Sequence, residues 1–461
     1  MKILITVFCS LFFCVNVFAQ EKKILKQEDF IAKVKAHHPL ARVANIQIEK
    51  ANANLMMAKG AFDPSISVDL TSKVFDKKNY YNYNQAELKI PLPIGDVKTG
   101  VENNSGLFLD NEISSGRSSY AGIEIPLVKG LLIDKRRAFL QQAKIAIQQN
   151  EAQQKVMLNE LLLEAYIAYN QWVGAAKLYS VYSNYVQISS NRLRLVKTGV
   201  VNGDRPAMDS TEAITQLQNF EMLQADASLK LTSAILAINN FVWDEKGVAQ
   251  NIADDVMPDV TVFNNKTNAE LNILLQNNST QNPLLQQYKF KIDVLEVERK
   301  LKYQNLLPTV NVRANLLNNN YFVGKNFGAS LLENNNKWGI AVKIPLRFRE
   351  GRGAYKLAKL KIAESALELT QKTQELNNKV KDYTNQFLFL QKQIQIANDA
   401  FVNFNSLLKN EILRFNNGES SLFLVNAREN KVLEIEQKII ELQVKLVKAK
   451  YYLEWVSGTI K

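Results

Sequence analysis

Two stretches of this chain place apolar side chains at alternating steps of four and three residues. The first runs through Leu158, Leu162, Ala165, Tyr169, Trp172, Ala176, Tyr179, Ser183, Val186, Ser190 and Leu193. The second runs through Leu376, Val380, Tyr383, Phe387, Leu390, Ile394, Ala397, Phe401, Phe404 and Leu408. A mean step of 3.5 residues keeps one helix face against a partner and predicts left-handed coiled-coil packing. Between Leu131 and Thr198 there is no proline and one glycine, Gly174, and between Ala354 and Asn417 there is neither. Long helices are therefore expected over about 131–200 and about 354–416, rods on the order of 100 Å at 1.5 Å per residue.

Each rod runs into an Asn-Gly pair, Asn202-Gly203 and Asn417-Gly418. A glycine in the left-handed region closes a helix there and lets the chain reverse. Asp204 with Pro206 then predicts a return helix over 205–243, and Ser420 or Ser421 predicts one over 421–456. Shorter helices are expected at about 40–61 and 283–306. Each is long enough to cover the part of a rod that its half-length return leaves bare.

Between each short helix and its rod the period changes to two. Ile66, Val68 and Leu70 alternate with polar residues, as do Ile123, Ile125 and Leu127; Val310, Val312, Ala314 and Leu316, then Ile340, Val342, Ile344 and Leu346, repeat the pattern in the second half. Segments of about ten residues with one apolar and one polar face suit transmembrane β-strands. The strand regions are expected at about 65–128 and 309–346. Phe75, Tyr80, Tyr81, Tyr120, Tyr321, Phe322 and Trp338 cluster near their ends, as in a lipid-interface girdle.

The two halves are copies of one unit. Pro39 and Pro64 correspond to Pro283 and Pro308 at a common offset of 244, and Pro126 corresponds to Pro345 at an offset of 219. The order short helix, strands, rod, return helix thus occurs over 20–243 and again over 282–461, with an equatorial linker at 244–281. The first copy is longer by 25 residues between its strand-opening and strand-closing prolines. That surplus holds Pro91, Pro93 and "VKTGVENNSGLFL", and the pattern leaves open whether it is an extracellular hairpin or added wall.

Composition narrows the setting. Lys2, the apolar run Ile3 to Val17, and Val17 and Ala19 before Gln20 read as a cleavable secretory signal over 1–19. Both cysteines, Cys9 and Cys14, lie inside it, so the mature chain offers neither a thiol nor a disulfide. Beyond it no apolar run reaches 18 residues, so any membrane crossing must be made as a barrel. The formal charge of +12 is spread along helices of an exported chain, which argues for a solvated surface and against a nucleic-acid partner.

Enzyme chemistry finds little support. The mature chain has two histidines, His37 and His38, and adjacent positions do not share a helical face. Gly351 and Gly353 in "FREGRGAY" lack the Gly-Lys-Ser/Thr ending of a phosphate loop and are expected to release the strand into the rod. No catalytic residue, cofactor or metal ligand is assigned.

Four strands cannot close a barrel, and an open edge cannot exist in lipid, so copies must associate. Three copies would supply twelve strands, continued by a coiled-coil tube. The chain is thus expected to be mainly α with a transmembrane β portion: duplicated coiled-coil hairpins plus strands completing a trimeric, twelve-stranded barrel.

With "GAFDP" opening the strands, "LLIDKRRAFLQQAKIAI" heading the first rod, and the tips "NGDRPAMDSTEA" and "NGESSLFLVNAREN", the whole mature chain resembles the TolC-type outer-membrane efflux protein family. The resemblance implies a homotrimeric channel tunnel in the outer membrane lipid of a Gram-negative bacterium, extending into the periplasm. It further implies a periplasmic adaptor and an inner-membrane pump as partners, in efflux or type I secretion. Family members close the tunnel at the periplasmic tips with polar bridges and acidic residues. Where the family carries "DVLDA", this chain has Phe423, Leu424, Val425, Asn426 and Ala427, so both acids are absent; Asp209 and Glu212 occupy the matching places in the first half. Asn202, Gly203, Asp209, Glu212, Arg414, Phe415, Asn417 and Gly418 are the candidate gate or adaptor-contact residues. The competing reading is a periplasmic coiled-coil scaffold or adaptor without a pore, which leaves the duplicated strands unexplained.

Overall fold

The computed structural model describes residues 23–253, 255–264, 282–319, 335–458 and 460. The signal segment, Tyr321 and Phe322 with their Asn-rich loop, and much of the 244–281 linker lie outside the described residues. The chain opens with β1 (Lys23–Leu25), α1 (Gln27–His37) and α2 (Pro39–Gly60), then β2 (Ser65–Phe75), β3 (Lys78–Pro91), β4 (Asp96–Ser105) and β5 (Gly116–Pro126). It continues with α3 (Lys135–Val201), α4 (Ala207–Asn239), β6 (Val256–Pro258), α5 (Pro283–Tyr303), β7 (Thr309–Asn319), β8 (Asn336–Lys343), α6 (Arg349–Asn416) and α7 (Leu422–Ser457). Among the described residues no helix is long and apolar enough to cross a membrane.

The chain divides into two compact units that cut across the sequence repeats. One comprises 1–39, 162–268 and 384–452, and the other 40–161, 269–383 and 453–461. The second unit holds an antiparallel sheet of six strands in the order β2-β3-β4-β5-β7-β8. This corrects the count of four strands per chain, and with it the arithmetic that three copies make twelve. The surplus of the first copy is β3 and β4, inserted between β2 and β5. Its first turn is Asp76-Lys77, with φ of 50° and 59°. Two left-handed residues make the tight hairpin turn whose twist matches that of the flanking strands. The second turn closes through the Leu92 N–H donating to the Gly95 carbonyl at 2.7 Å.

The register gives the sheet two unlike faces. Ile66, Val68 and Leu70 share one with Leu88, Val97, Ile123, Val312, Trp338, Ile340 and Val342. The other carries Glu87, Lys89, Lys98, Glu102, Tyr120, Glu124, Arg313 and Lys337. Ile66, Leu70, Trp338 and Val342 remain exposed in the single chain, at 76, 70, 72 and 59%. A contiguous apolar face of this kind marks contact with an apolar medium or a partner. The polar face is ion-paired: Lys89 with Asp96 at 2.9 Å, Lys98 with Glu124 at 2.9 Å, and Arg313 with Glu124 at 3.2 Å. Gly100 permits one further bond. A side chain there would collide with the Tyr120 ring, which crosses it so that the phenol donates to Glu87 at 2.7 Å.

Gly351 departs from its expected role. It lies inside α6, whose start at Arg349 precedes both glycines, and a Cβ there would sit 2.6 Å from the Asn305 carbonyl oxygen. Close approach of two backbones, not release of the strand, is what glycine serves at this position. Helix α5 is capped by Asn282, whose side chain accepts from the Leu284 N–H at 2.9 Å and donates to the Val456 carbonyl at 2.6 Å.

In the first unit, β1 pairs in parallel with β6, and Phe30, Val34, Tyr169 and Trp172 are essentially inaccessible. The Tyr169 hydroxyl donates to the Leu25 carbonyl at 2.6 Å and accepts from the Asp259 N–H at 3.0 Å. Burial pushes its phenol up to about 12.

The expected seams fare differently on the two rods. Along α6 every seam position from Leu376 to Leu408 is buried or half-buried, so one stripe is used. Along the distal part of α3 the buried positions are Tyr182, Tyr185, Ser189 and Val196, while Ser190 of the expected seam is exposed. A helix between two neighbours needs two stripes. Ser183, on the expected stripe, accepts from Gln224 of α4 at 3.0 Å, whereas Tyr182 donates to Gln437 of α7 at 3.0 Å.

Candidate functional site at the helical tip

Both rods end as their Asn-Gly pairs require. Gly203 and Gly418 have φ of 82° and 79°. In the first turn the Gly203 and Asp204 N–H groups donate to Val200 and Gly199, and in the second those of Gly418 and Glu419 donate to Phe415 and Arg414. These paired bonds satisfy the last carbonyls of each rod. Ser421 accepts from the Leu424 N–H at 3.4 Å as cap of α7. The expected capping by Asp204 does not occur: α4 starts from Pro206 without a side-chain cap, since the ring already fixes the extended φ that the position needs.

The reversals bring the two hairpins together in one unit. Val196, Ala213 and Leu422 form a small core with Phe415 packed on it, and Leu408, Val425 and Val432 form a second that also receives Phe415. Around these lies a set of polar bridges. The Arg205 guanidinium stacks 4.1 Å above the Phe415 ring and is held by Asp209 at 3.7 Å. Glu212 accepts from Asn426 at 3.3 Å, and the Gln216 amide donates to Asn430 at 2.7 Å.

At the centre Arg192 of α3 reaches Glu429 of α7 with two parallel bonds of 2.7 and 2.6 Å, and Asn426 accepts a third at 3.3 Å. The Glu429 side chain is only 3% exposed and that of Arg192 16%. A bidentate guanidinium-carboxylate pair out of water fixes register strongly, because losing either partner strands a charge. Farther from the tip, Tyr185 donates to Glu436 at 3.4 Å. Burial pushes the Glu436 carboxyl above its ordinary range, and the Tyr185 hydroxyl offsets part of that.

Of the sequence candidates, Phe415 and Glu212 thus take part in contacts between hairpins, while Asp209 holds Arg205 within the first hairpin. Asn202, Gly203, Asn417 and Gly418 shape the turns. Arg414 donates to the Glu419 carbonyl of its own turn, at 3.4 Å. Sequence reasoning missed Arg192, Arg205, Asn426 in its bonded role, and Glu429. The signal was present: Tyr182, Tyr185, Ser189, Arg192 and Val196 follow steps of three and four, a second seam with a charge inside it.

Residues 274–459, spanning the second repeat, match the family described as outer membrane efflux protein. Among solved structures the chain is similar to the outer-membrane channel OprN, at TM-score 0.65 and 12% identity over 94% of this chain and 90% of that one. It is also similar to the outer membrane protein VceC of Vibrio cholerae, at 0.65 and 12% over 94% and 96%. The CmeC outer membrane channel of Campylobacter jejuni scores 0.63 and 12% over 94% and 85%. No curated protein matches the sequence. The family match thus lies on the second repeat, and the fold of these channels extends along nearly the whole chain.

Proposed function

We propose that the chain forms the outer-membrane channel of a tripartite export assembly, as a homotrimer whose sheets close one barrel in the outer membrane and whose helical hairpins extend into the periplasm. One observation carries this reading. The six-stranded sheet has an apolar and a polar face, and its outermost strands, β2 and β8, have no further partner among the described residues. Such edges are untenable in lipid unless copies pair them. Exposed apolar side chains along α6, among them Phe389, Ile396 and Val402 at 67, 59 and 65%, support association of the rods as well.

The tip is the resting closure. Arg192, Glu429, Asn426 and Glu212 hold the second hairpin against the first, with the Arg205–Phe415 stack at the end. A periplasmic adaptor engages the turns at Asn202-Gly203 and Asn417-Gly418, and an inner-membrane pump delivers the cargo. The duct itself does no chemistry. Fractionation with the outer membrane, a heat-labile oligomer of three copies and discrete conductance steps in a planar bilayer are the expected results. A soluble monomer would favour the scaffold reading instead.

A further inference from the structure

The inserted hairpin carries a consequence for how wide the exit is. β3 is paired along its length with β2 on one side and with β4 on the other, and β4 likewise with β5. It continues the alternation of its neighbours: Ala86 and Leu88 align with Val68 and Ile66 on the apolar face, Gln85 and Glu87 with Asp69 and Ser67 on the polar one. A hairpin standing clear of the membrane would have no reason to keep that match.

The loop that follows, 106–115, does not stand clear either. It folds over the polar face. The Asp110 N–H donates to the Tyr83 hydroxyl on β3 at 3.2 Å, the Asn104 amide donates to the Ser114 carbonyl at 3.2 Å, and Lys337 on β8 donates to the Glu112 carbonyl and carboxylate at 3.0 and 3.1 Å. From β3 to β8 is four strand spacings, roughly 19 Å at ~4.8 Å each, so the loop reaches across most of the sheet. Beneath it lies a hollow of 410 Å³ lined by Glu102, Glu112, Tyr120, Glu124 and Arg313.

Resting on the trimeric channel reading above, we propose that the insertion makes an exit wider than the duplicated unit alone would, and supplies its constriction. Three copies of six strands make eighteen staves, a number at which barrels enclose an aqueous channel. Relative to twelve staves the diameter is about 1.5-fold larger, since it grows roughly linearly with strand number. The loop, directed into that lumen by Tyr83, Asn104 and Lys337, sets the free aperture, so bulky polar cargo is sized at the outer end.

The cysteine-free mature chain allows a direct test with single-cysteine variants carrying a fluorophore, reconstituted with brominated lipid. Ala86→Cys is expected to be quenched as strongly as Val312→Cys, and Gln85→Cys to be spared. Quenching at 312 without quenching at 86 would place the hairpin outside the membrane and overturn the proposal; no quenching at either would instead sink the channel reading. For the constriction, Asn315→Cys on intact cells is treated with a small maleimide and with one carried on a bulky polymer. The polymer reagent should react slowly in the parent and approach the small reagent's rate once 107–114 is replaced by Asn-Gly. Lys337→Ala, which removes one partly exposed pair, should speed it by up to about fivefold. Equal polymer rates in parent and shortened loop would show that the loop does not narrow the exit.

Discussion

Replacing Glu429 by Gln tests the tip most directly. The carboxylate is 3% exposed and takes two of the three bonds that Arg192 makes. The variant leaves a guanidinium facing Asn426 and a neutral amide that can accept only one of its bonds. Removing one partner of a buried pair costs about 3–5 kcal/mol, and the 16% exposure of Arg192 argues for the lower end. If the pair exists only while the second hairpin is held against the first, ~3 kcal/mol shifts the closed-to-open ratio by roughly 150-fold. Single-channel recording should show a large rise in open probability, with the assembled oligomer and its barrel unchanged. Arg192→Met with Glu429→Leu removes both charges, so it should recover thermal stability. If Glu429→Gln lowers the melting temperature and leaves conductance untouched, the pair is only structural and the latch assignment is wrong.

Other outcomes follow from the same geometry. Gly418→Ala should cost about 1 kcal/mol, because φ of 79° is strained for any Cβ while the space around it is empty; Gly351→Ala should cost about 2–3 kcal/mol, because its Cβ would strike the Asn305 carbonyl. Denaturant titration would rank the two, and the reverse order would refute the close-approach argument. Trp172→Ala should cost about 3–5 kcal/mol by leaving a cavity in a fully buried site, read as a fall in denaturation midpoint. Glu436→Gln should stabilise the protein at neutral pH. The folded state raises this carboxyl's affinity for its proton, so the native residue loses stability as pH rises from the ordinary carboxylate range through the raised value. Melting temperature against pH should accordingly flatten in the variant; an unchanged profile would show that burial of Glu436 carries no such penalty.

What the sequence determined by itself was the grammar of the chain. Long stretches without proline and with 3.5-residue spacing predicted α3 and α6 as helices, Asn-Gly placed their ends at Gly203 and Gly418, and period-two alternation put Ile66, Val68 and Leu70 on one face of a strand. These are local properties, set by rotation per residue and by which residues accept a positive φ. The β2–β3 turn was harder to see because Asp76-Lys77 carries no glycine, although both residues adopt φ above zero. Only the tertiary structure decided where the surplus went. Pairing along β2, β3, β4 and β5 made it part of the sheet, since ladder bonds join residues that no local pattern links. Likewise, only packing revealed that α3 has two partners, and therefore that Arg192, in a second seam, meets Glu429 some 237 residues away. A periodic pattern shows which side of a helix is buried; the partner on that side depends on how distant segments fold together.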